Sequence, residues 1–408
     1  MYDARDVISD LKLRVAWGQN GNQEIDNLAN RTILVTNYIG DTGAGINSGT
    51  AYDIDGVNSG LLPSGYQLNQ RGNNDIKWET TTQSNIGLDF SLFNQSLYGS
   101  LEWYLKETRD ILINPPYLGT IGEGGAQWVN GASMRNQGIE FTLGFRKRTS
   151  FGLNYDIVGN VSGYRNKIID LPESVVNSYG GNGTTDNILG RPINSYYGYL
   201  ANGLFRTQEE VDSYVSQTGN GVGRIRYANL LDDNVINEND RTWLGNPHPN
   251  FEYGINTYLE YKGFDFTMFW QGLSGNHIIN NTKQFTDFWA VAELNMNKGI
   301  RLLNAFDPIK NPGSDIPMIS LTDNNNEKRF SSYYVEPGSY MKLRNLQFGY
   351  SLPGEVVNQI KLDKIRFYVS GQNLLTMKSK KFTGLDPENP NLAYPISTTI
   401  TFGLNVTF

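Results

Sequence analysis

The chain has 408 residues, of which 38% are hydrophobic, 12% aromatic and 18% charged, and its formal net charge is −7. Its 44 glycines and 24 tyrosines disfavour helical bundles, coiled coils and doubly wound α/β folds, because glycine weakens helices and tyrosine favours strands. The absence of cysteine excludes disulfides and thiolate metal sites, and two histidines are too few for a histidine-based metal cluster. No run of five basic residues occurs, which argues against a nucleic-acid partner.

Hydrophobic and polar residues alternate in ten segments, with the period of two that is typical of β-strands. In one of them, Ile139, Phe141, Leu143 and Phe145 share a face, opposite glycine, threonine and charged residues. With the residues that flank these alternating segments, the predicted strands have roughly 9 to 14 residues, which is long enough to cross a bilayer when tilted. In chain order the ten segments are Leu11 to Trp17, Ile86 to Leu92, Leu97 to Leu105, Gly138 to Arg146, Leu153 to Val161, Ile255 to Tyr261, Phe264 to Trp270, Leu346 to Leu352, Ile365 to Val369 and Ile400 to Phe408.

The connections between these segments alternate between short and long. Short connections lie at 93–96, 147–152, 262–263 and 353–364, the last with a predicted helical turn. Long connections lie at 20–75, 109–134, 166–250, 275–338 and 375–395. Outer-membrane barrels have short periplasmic turns and long extracellular loops, whereas compact soluble domains rarely contain several such long loops. The pattern therefore predicts an all-β, transmembrane antiparallel β-barrel of the Gram-negative outer membrane, in contact with outer-membrane lipid.

Alternation alone also fits a soluble β-sandwich, in which the apolar face forms the core. Aromatic residues near the ends of the segments favour the barrel, because they resemble the interfacial girdles of outer-membrane proteins. In a barrel the polar face lines the lumen, and candidate lumen residues are Glu102, Lys106, Glu140, Asp156 and Arg344.

Ten strands pose a closure problem, because an open sheet edge is not viable in lipid. Either the ten strands close on themselves, or further strands lie upstream in a longer chain. The long external excursion at 166–250 contains a candidate hairpin, Ser195 to Phe205 with Arg224 to Asn229, so up to twelve strands are considered.

Seven ordered strings resemble the C-terminal part of the SusC/RagA family of TonB-linked outer-membrane transporters. The most specific is IKWETTTQSNIGLDF at 76–90. The others are LKLRVAWGQNGN at 11–22, NQGIE at 136–140, SYYGY at 195–199, DRTWLGNP at 240–247, YMKLRNL at 340–346 and SGQNL at 370–374.

The resemblance implies that residues 1–408 form the C-terminal part of a barrel of 22 strands, without the plug domain and the N-terminal half of the barrel. It implies import of a large nutrient, a glycan or a peptide, driven by TonB through the N-terminal part that is absent here. It also implies a SusD-like surface lipoprotein as a partner, no cofactor and no enzymatic activity.

Aromatic residues in the long loops are the candidate substrate-binding residues, because aromatic faces stack on sugar rings and on peptide side chains. The alternative is that they pack the loops together or against the lid lipoprotein. The candidates are Trp128, Tyr196, Tyr197, Trp243, Phe288 and Trp289.

The segment 229–240 is a weak, degenerate calcium-loop candidate through Asn229, Asp233, Asn237 and Asp240. A calcium loop needs an oxygen ligand where Leu231 stands, so a tight asparagine-rich turn without an ion is the favoured interpretation. The last strand resembles an outer-membrane assembly signal. Its outward residues are Phe402, Leu404, Val406 and Phe408.

No nucleophile elbow, phosphate loop or catalytic triad occurs in the sequence. Two alternatives to the importer remain open. One is a self-contained passive pore or adhesin barrel, and the other is a secreted glycan-binding β-sandwich.

Overall fold

The structure is a computed structural model of the full chain. It describes residues 7–25, 27–35, 67–114, 127–172, 187–292, 296–391 and 394–408. Among these residues, no helix combines the length and the apolar character that crossing a membrane would require.

Ten long strands form one continuous antiparallel sheet, in which each strand pairs with its neighbours along the chain. The strands are β1 (Ile8–Asn22), β4 (Glu79–Leu92), β5 (Leu97–Ile113), β6 (Val129–Arg148), β7 (Asn154–Asp170), β12 (Phe251–Tyr261), β13 (Phe264–Ser274), β16 (Tyr340–Ser351), β17 (Lys364–Lys378) and β18 (Thr399–Thr407). Each contains one of the ten segments predicted from alternation, to within one residue at an end, so the strand prediction is confirmed. Within the described residues, β1 and β18 are the edges of the sheet.

Several strands are longer than the alternation predicts. Strand β6 has 20 residues, and β5 and β7 have 17 each. At about 3.3 Å per residue, β6 is about 66 Å long, and a tilt of about 45° still leaves it taller than a hydrocarbon core of about 30 Å. The upper parts of β5, β6 and β7 therefore stand outside the membrane. Alternation did not predict these parts because their outward face, which is apolar lower in the strands, is here largely polar.

The two faces of the sheet differ as a barrel requires. On β1, Leu11, Leu13, Val15 and Trp17 are all more than half exposed on one face. On the other face Arg14 binds residues of the next strands. An apolar face open to the surroundings is a lipid-facing surface in this fold, so the sheet itself has no hydrophobic core. This arrangement excludes the two-layer sandwich, which buries its apolar faces between two sheets.

Glycine and tyrosine occupy opposite positions on neighbouring strands of the sheet. Tyr104 lies opposite Gly138, and a Cβ atom built on that glycine would stand 2.8 Å from the tyrosine ring. The tyrosine ring thus lies against the backbone of Gly138, in the space that the side chain of any other residue would occupy. The same arrangement joins Tyr98 to Gly144, Tyr253 to Gly272 and Tyr368 to Gly403. It accounts for part of the high content of both residues.

The short connections turn as predicted. Lys262 and Gly263 join β12 to β13 with φ angles of 48° and 85°, the left-handed pair that a two-residue hairpin needs. Between β16 and β17 the chain forms a short helix, Gly354–Gln359, where a helical turn was predicted.

The long connections fold into a packed external body instead of open loops. It comprises mainly residues 187–250, 275–338 and 379–391 and contains the short strands β8 (Tyr196–Tyr199), β9 (Ala201–Leu204), β10 (Ile225–Tyr227), β11 (Arg241–Gly245), β14 (His277–Ile279) and β15 (Val335–Pro337). These pair as β8 with β11, β9 with β10 and β14 with β15. Two further short strands, β2 (Ile33–Val35) and β3 (Gln67–Gln70), pair with each other.

The predicted hairpin in 166–250 is confirmed for β9 and β10 but does not join the main sheet. The segment before β9 instead forms β8 and pairs with β11. The excursion runs from the end of β7 at Asp170 to the start of β12 at Phe251.

The external body holds the principal hydrophobic core of the described residues. Its buried side chains come from segments far apart in the chain: Leu204, Ile225, Tyr227, Ile236, Phe288, Val291, Phe306 and Tyr334.

Buried charges are paired around this core. Arg224 binds Glu327 at 2.9 Å, and the Glu327 carboxylate also accepts the backbone N–H of Ile225. Burial opposes ionisation of Asp287, but hydrogen bonds from Arg301 and Tyr333 outweigh it and lower the pKa of that carboxyl. The external body is therefore held by internal ion pairs as well as by apolar packing.

Because the Arg224–Glu327 pair is buried, we expect the stability of the external body to depend on it. Replacing Glu327 by alanine leaves Arg224 as an unpaired buried charge, and we expect a loss of about 3–5 kcal/mol in the stability of this body. The exposed pair Arg241–Glu238 is the matched control, and Glu238→Ala should cost at most about 1 kcal/mol. Native-state proteolysis of the purified protein in detergent measures both. Equal protease susceptibility of the two variants would contradict the prediction.

Candidate functional site

Two of the predicted loop aromatics, Tyr197 and Trp243, meet in the external body. They are 46 positions apart in sequence, but β8 pairs with β11 in a register that sets Tyr197 directly opposite Trp243. Their ring centroids are 4.9 Å apart with an interplanar angle of 53°. The guanidinium of Arg191 lies 4.7 Å from the Trp243 ring, a cation–π contact.

These two rings line a largely apolar cavity of about 560 Å³. Its wall on the sheet side includes Met134 of β6 and Ile168 of β7, which lie opposite each other. Within β7, Ile168 shares its face with Asn166 and Asp156, which belong to the polar, inner face of the sheet. The cavity therefore lies at the external end of the inner face.

The indole Nε1 of Trp243 is buried and has no hydrogen-bond partner among the described residues. A buried donor without a partner costs about 1–3 kcal/mol. The cavity itself offers stacking surfaces and an apolar wall, a combination that suits binding.

The other four aromatic candidates lie elsewhere. Tyr196 follows the alternation of β8 away from Tyr197, and its hydroxyl donates to the carbonyl of His277 at 3.1 Å. Phe288 is only 4% exposed and packs in the core of the external body. Trp289 lines a separate groove, and Trp128 lies near Asn73, which donates to its carbonyl oxygen. The six residues therefore do not form a single site.

The degenerate calcium loop is a tight turn held by its own hydrogen bonds. Asp240 is fully buried and accepts the backbone N–H groups of Leu230 and Asn237. Asn237 accepts from Asn239, and Asp233 accepts from the backbone N–H of Val235. The side chain of Asn229 donates to the carbonyl oxygen of Asp233, and its Oδ1 is buried without a partner among the described residues. No group of three acidic, histidine or cysteine residues suited to a metal occurs in the described part of the chain.

The inner face of the sheet carries a polar network. Arg14 of β1 donates to Asp89 at 2.8 Å and to Glu102 at 2.9 Å, so one guanidinium joins three strands. Glu102 also accepts from Asn85. Farther along, Asp156 accepts from the Tyr98 hydroxyl and Asp265 binds Arg366. Of the predicted lumen residues, Glu102 and Asp156 thus bind other groups on this face.

Three of the predicted assembly-signal residues lie on the edge strand β18, and Phe408 follows its last residue directly. Phe402 and Phe408 are 82% and 88% exposed, and Leu404 and Val406 are also exposed on that strand. Their role in assembly stays a prediction.

The sequence pattern did not predict a cluster of charged side chains at the external end of β16. The ammonium group of Lys342 is buried and binds Asp386 at 2.7 Å and Glu388 at 2.5 Å. Arg344 and Tyr340 also donate to Glu388. The cluster fastens the segment 379–391 to the inner side of β16. In the sequence only the charged residues of the string at 340–346 indicated such a cluster. Their acidic partners lie more than 40 positions away, so the pairing could not be predicted.

The charge cluster predicts acid sensitivity of the segment 379–391. Burial opposes ionisation of Glu388, but hydrogen bonds from Lys342, Tyr340 and Arg344 outweigh it and lower its pKa from 4.5 to about 2. A lowered pKa gives stability that is fully present above about pH 4.5 and is lost as the pH falls through about 2. We expect pepsin cleavage in 379–391 to rise across that window.

Glu388→Gln should make this segment easily cleaved at every pH in the window and remove most of the pH dependence relative to the parent. Glu355→Gln, in the exposed helix at the opposite end of the sheet, is the control and should behave as the parent. Retention of the full pH dependence by Glu388→Gln would contradict the assignment.

Comparison with curated proteins finds relatives among TonB-dependent receptors. The chain is 32% identical over 372 residues to TonB-dependent receptor P3 of Formosa agariphila, covering 85% of this chain and 36% of that receptor. It is 29% identical over 432 residues to receptor P26 of the same organism, covering 99% of this chain and 40% of the receptor. It is 25% identical over 427 residues to the receptor SusC of Bacteroides thetaiotaomicron, covering 98% and 38%. The chain therefore spans about two fifths of the length of the curated relatives it matches.

Solved structures give the same answer for the fold. A chain of the RagAB peptide transporter superposes with a TM-score of 0.77 at 24% identity, covering 99% of this chain and 41% of that chain. The "open-open" state of the RagAB peptide importer gives a TM-score of 0.75. No family model matches the sequence.

These likenesses confirm the predicted fold class and the outer-membrane location. The relatives are named as receptors and transporters, which agrees with the prediction of a chain without enzymatic activity. The chain is thus similar over nearly its whole length to TonB-dependent receptors, SusC among them, and matches about two fifths of their length.

Proposed function

We propose that this chain forms part of a TonB-dependent importer of a large nutrient, either an oligosaccharide or a peptide. The observation that carries the proposal is the aromatic cavity of Tyr197 and Trp243 at the external end of the polar inner face. A ligand held there stands at the entrance of a passage whose wall is hydrophilic. The similarity to SusC and to the RagAB peptide transporter supports the same reading.

In this proposal the chain contributes binding and passage. The remaining strands, the plug and the energy from TonB are supplied by the rest of the receptor. The alternative of a passive pore or adhesin barrel has no similar support, because the relatives are named TonB-dependent receptors.

Both substrate classes fit the cavity. A sugar ring stacks on Trp or Tyr through its C–H face, and a peptide offers apolar side chains to the same rings. Titration of the purified receptor with oligosaccharide and peptide mixtures, followed by identification of the bound species, decides between them.

Trp243→Ala tests the site. Truncation of a central aromatic contact costs about 1–2 kcal/mol, so we expect about tenfold weaker binding of the identified ligand and a matching loss of uptake at limiting concentration. Trp128→Ala removes the same side chain outside the cavity and should bind as the parent does. Equal affinities of the two variants would remove the cavity from the proposal.

A SusD-like surface lipoprotein is the proposed partner of the external body. Five apolar side chains between residues 300 and 321, here named the external apolar patch, are 51% to 89% exposed. Contiguous exposed apolar surface on a water-facing body marks an interaction site. The patch consists of Ile300, Leu303, Ile309, Ile319 and Leu321.

Three of these residues, Ile300, Leu303 and Ile319, line one open groove of about 690 Å³ together with Trp289. A groove with a tryptophan at its wall is suited to an apolar anchor from a partner protein. The groove therefore favours a docking site for the lipoprotein over the alternative that these apolar residues are exposed singly to solvent.

Leu303→Glu combined with Ile309→Glu should abolish co-purification of the lipoprotein by placing two charges in the interface. Leu231→Glu is the control, because Leu231 is also exposed on the external body but lies outside the patch. Pull-down of the lipoprotein from detergent extracts, with the receptor intact in both cases, measures the effect. Normal recovery with the double variant would show that the lipoprotein docks elsewhere.

A further inference from the structure

The outward face of β5, β6 and β7 changes from apolar to cationic at its external end. Trp103, Ile139 and Gly163 lie side by side across the three strands at the upper limit of the apolar band. Side chains on one face recur every second residue, about 7 Å along a strand. Arg165 lies two residues farther along β7, toward its external end. Arg135 and Lys167 lie opposite each other, a further two residues toward that end of β6 and β7.

The charge in this area is positive. Arg109, Arg135, Arg165 and Lys167 are four cations, and Glu107 is the carboxylate among them. Glu107 binds Arg135 at 2.6 Å and Arg109 at 3.2 Å. Arg165 and Lys167 are exposed and have no ion-pair or hydrogen-bond partner in the described ranges. The local excess of cations contrasts with the chain's overall charge of −7.

These cations border a formed recess. A cavity of about 470 Å³ is lined by Arg135, Gln137, Arg165, Lys167 and His248. It adjoins a second cavity of about 400 Å³, which shares Gln137 and Arg165 and continues down to Trp103 and Ile139. We call the two together the amphipathic recess. Its lower part includes the apolar side chains of Trp103 and Ile139, and its upper part is cationic.

The recess exists because β7 extends beyond its partner. Pairing of β7 with β12 reaches Ser162 and Glu252, and the rest of β7 stands free of β12 above that point. His248 closes the space from the other side, with its Nε2 donating to the carbonyl of Ile193 at 2.9 Å and its Nδ1 3.1 Å from the Tyr164 hydroxyl. Gly163 allows the backbone of Asn250 to approach β7 closely, because a Cβ atom there would stand 2.9 Å from the Asn250 carbonyl oxygen.

We propose that the amphipathic recess binds a phosphorylated, acylated glycolipid of the outer leaflet, with the chemistry of lipid A. The phosphate lies against Arg165 and Lys167, because guanidinium groups pair with phosphate oxygens through two N–H donors and basic pockets beside the bilayer hold lipid head groups. The sugar lies in the upper cavity and the acyl chains lie over Trp103 and Ile139. This site faces lipid and is independent of the import proposed above.

The size and lining of the recess favour an acylated, phosphorylated glycolipid over a free phosphate or a phospholipid. A free phosphate would use the cations and leave the apolar part of the recess empty. A two-chain phospholipid would reach the apolar part, but its small head group would leave much of the upper 470 Å³ unfilled. A phosphorylated disaccharide with acyl chains occupies both parts.

Native mass spectrometry of the detergent-purified full receptor tests the proposal, with lipid A, phosphatase-treated lipid A and phosphatidylglycerol as probes. We expect lipid A to bind at least tenfold more tightly than the other two. Arg165→Gln combined with Lys167→Gln should weaken lipid A binding at least tenfold. The control pair is Lys147→Gln with Arg148→Gln, which removes the same charge from the opposite end of the neighbouring strand β6 and should leave binding unchanged.

Three results would overturn the proposal. They are unchanged binding by the Arg165/Lys167 variant, an equal loss in the control pair, and phosphatidylglycerol binding as tightly as lipid A. The last would indicate a general attraction for anionic lipid. Uptake of the nutrient by the same variants provides a separate readout, so failure of the lipid site and failure of the proposed import are distinguishable.

Discussion

Backbone hydrogen bonding in lipid is the constraint on which the rest of this structure depends. An unpaired N–H or C=O group inside the hydrocarbon region costs several kcal/mol, so each strand must pair along its membrane-crossing length with the strand beside it. That pairing fixes the register, and the register fixes which side chains face lipid. On β1 the residues from Leu11 to Trp17 alternate between an apolar outward position and an inward one, where Arg14 reaches two further strands. A one-residue slip would turn the arginine into lipid.

The same constraint moves the hydrophobic core out of the sheet. Because the apolar face of the strands meets lipid, it cannot also serve to pack the protein together. Apolar packing is therefore concentrated in the external body, around residues such as Tyr227 and Tyr334. That body lies in water and behaves as a small soluble domain would, with Glu327 and Asp287 buried only alongside a cation. Its stability and that of the sheet have different physical sources.

This division explains what the sequence could and could not predict. Alternation is a local property, so the ten strands could be read from short stretches, and the two-residue turn at Lys262 and Gly263 likewise. The external body has no such period. Its contacts join residues about a hundred positions apart, as Arg224 and Glu327 are, and no local pattern reports them. For the same reason Tyr197 and Trp243 could be named as binding candidates, but their pairing could not be predicted, nor could the burial of Phe288 beside the more exposed Trp289.

The free upper part of β7 connects the two proposed binding regions. The segment 188–193 lies along it, with the amide of Ile168 donating to the carbonyl of Arg191 and the amide of Gly190 donating to the carbonyl of Ile168. One side of this segment contributes Ile188 and Ile193 to the aromatic cavity, and the other contributes Gly190 and Pro192 to the amphipathic recess. The two cavities therefore lie on opposite sides of one short segment, and its backbone hydrogen bonds to Ile168 hold that segment against β7.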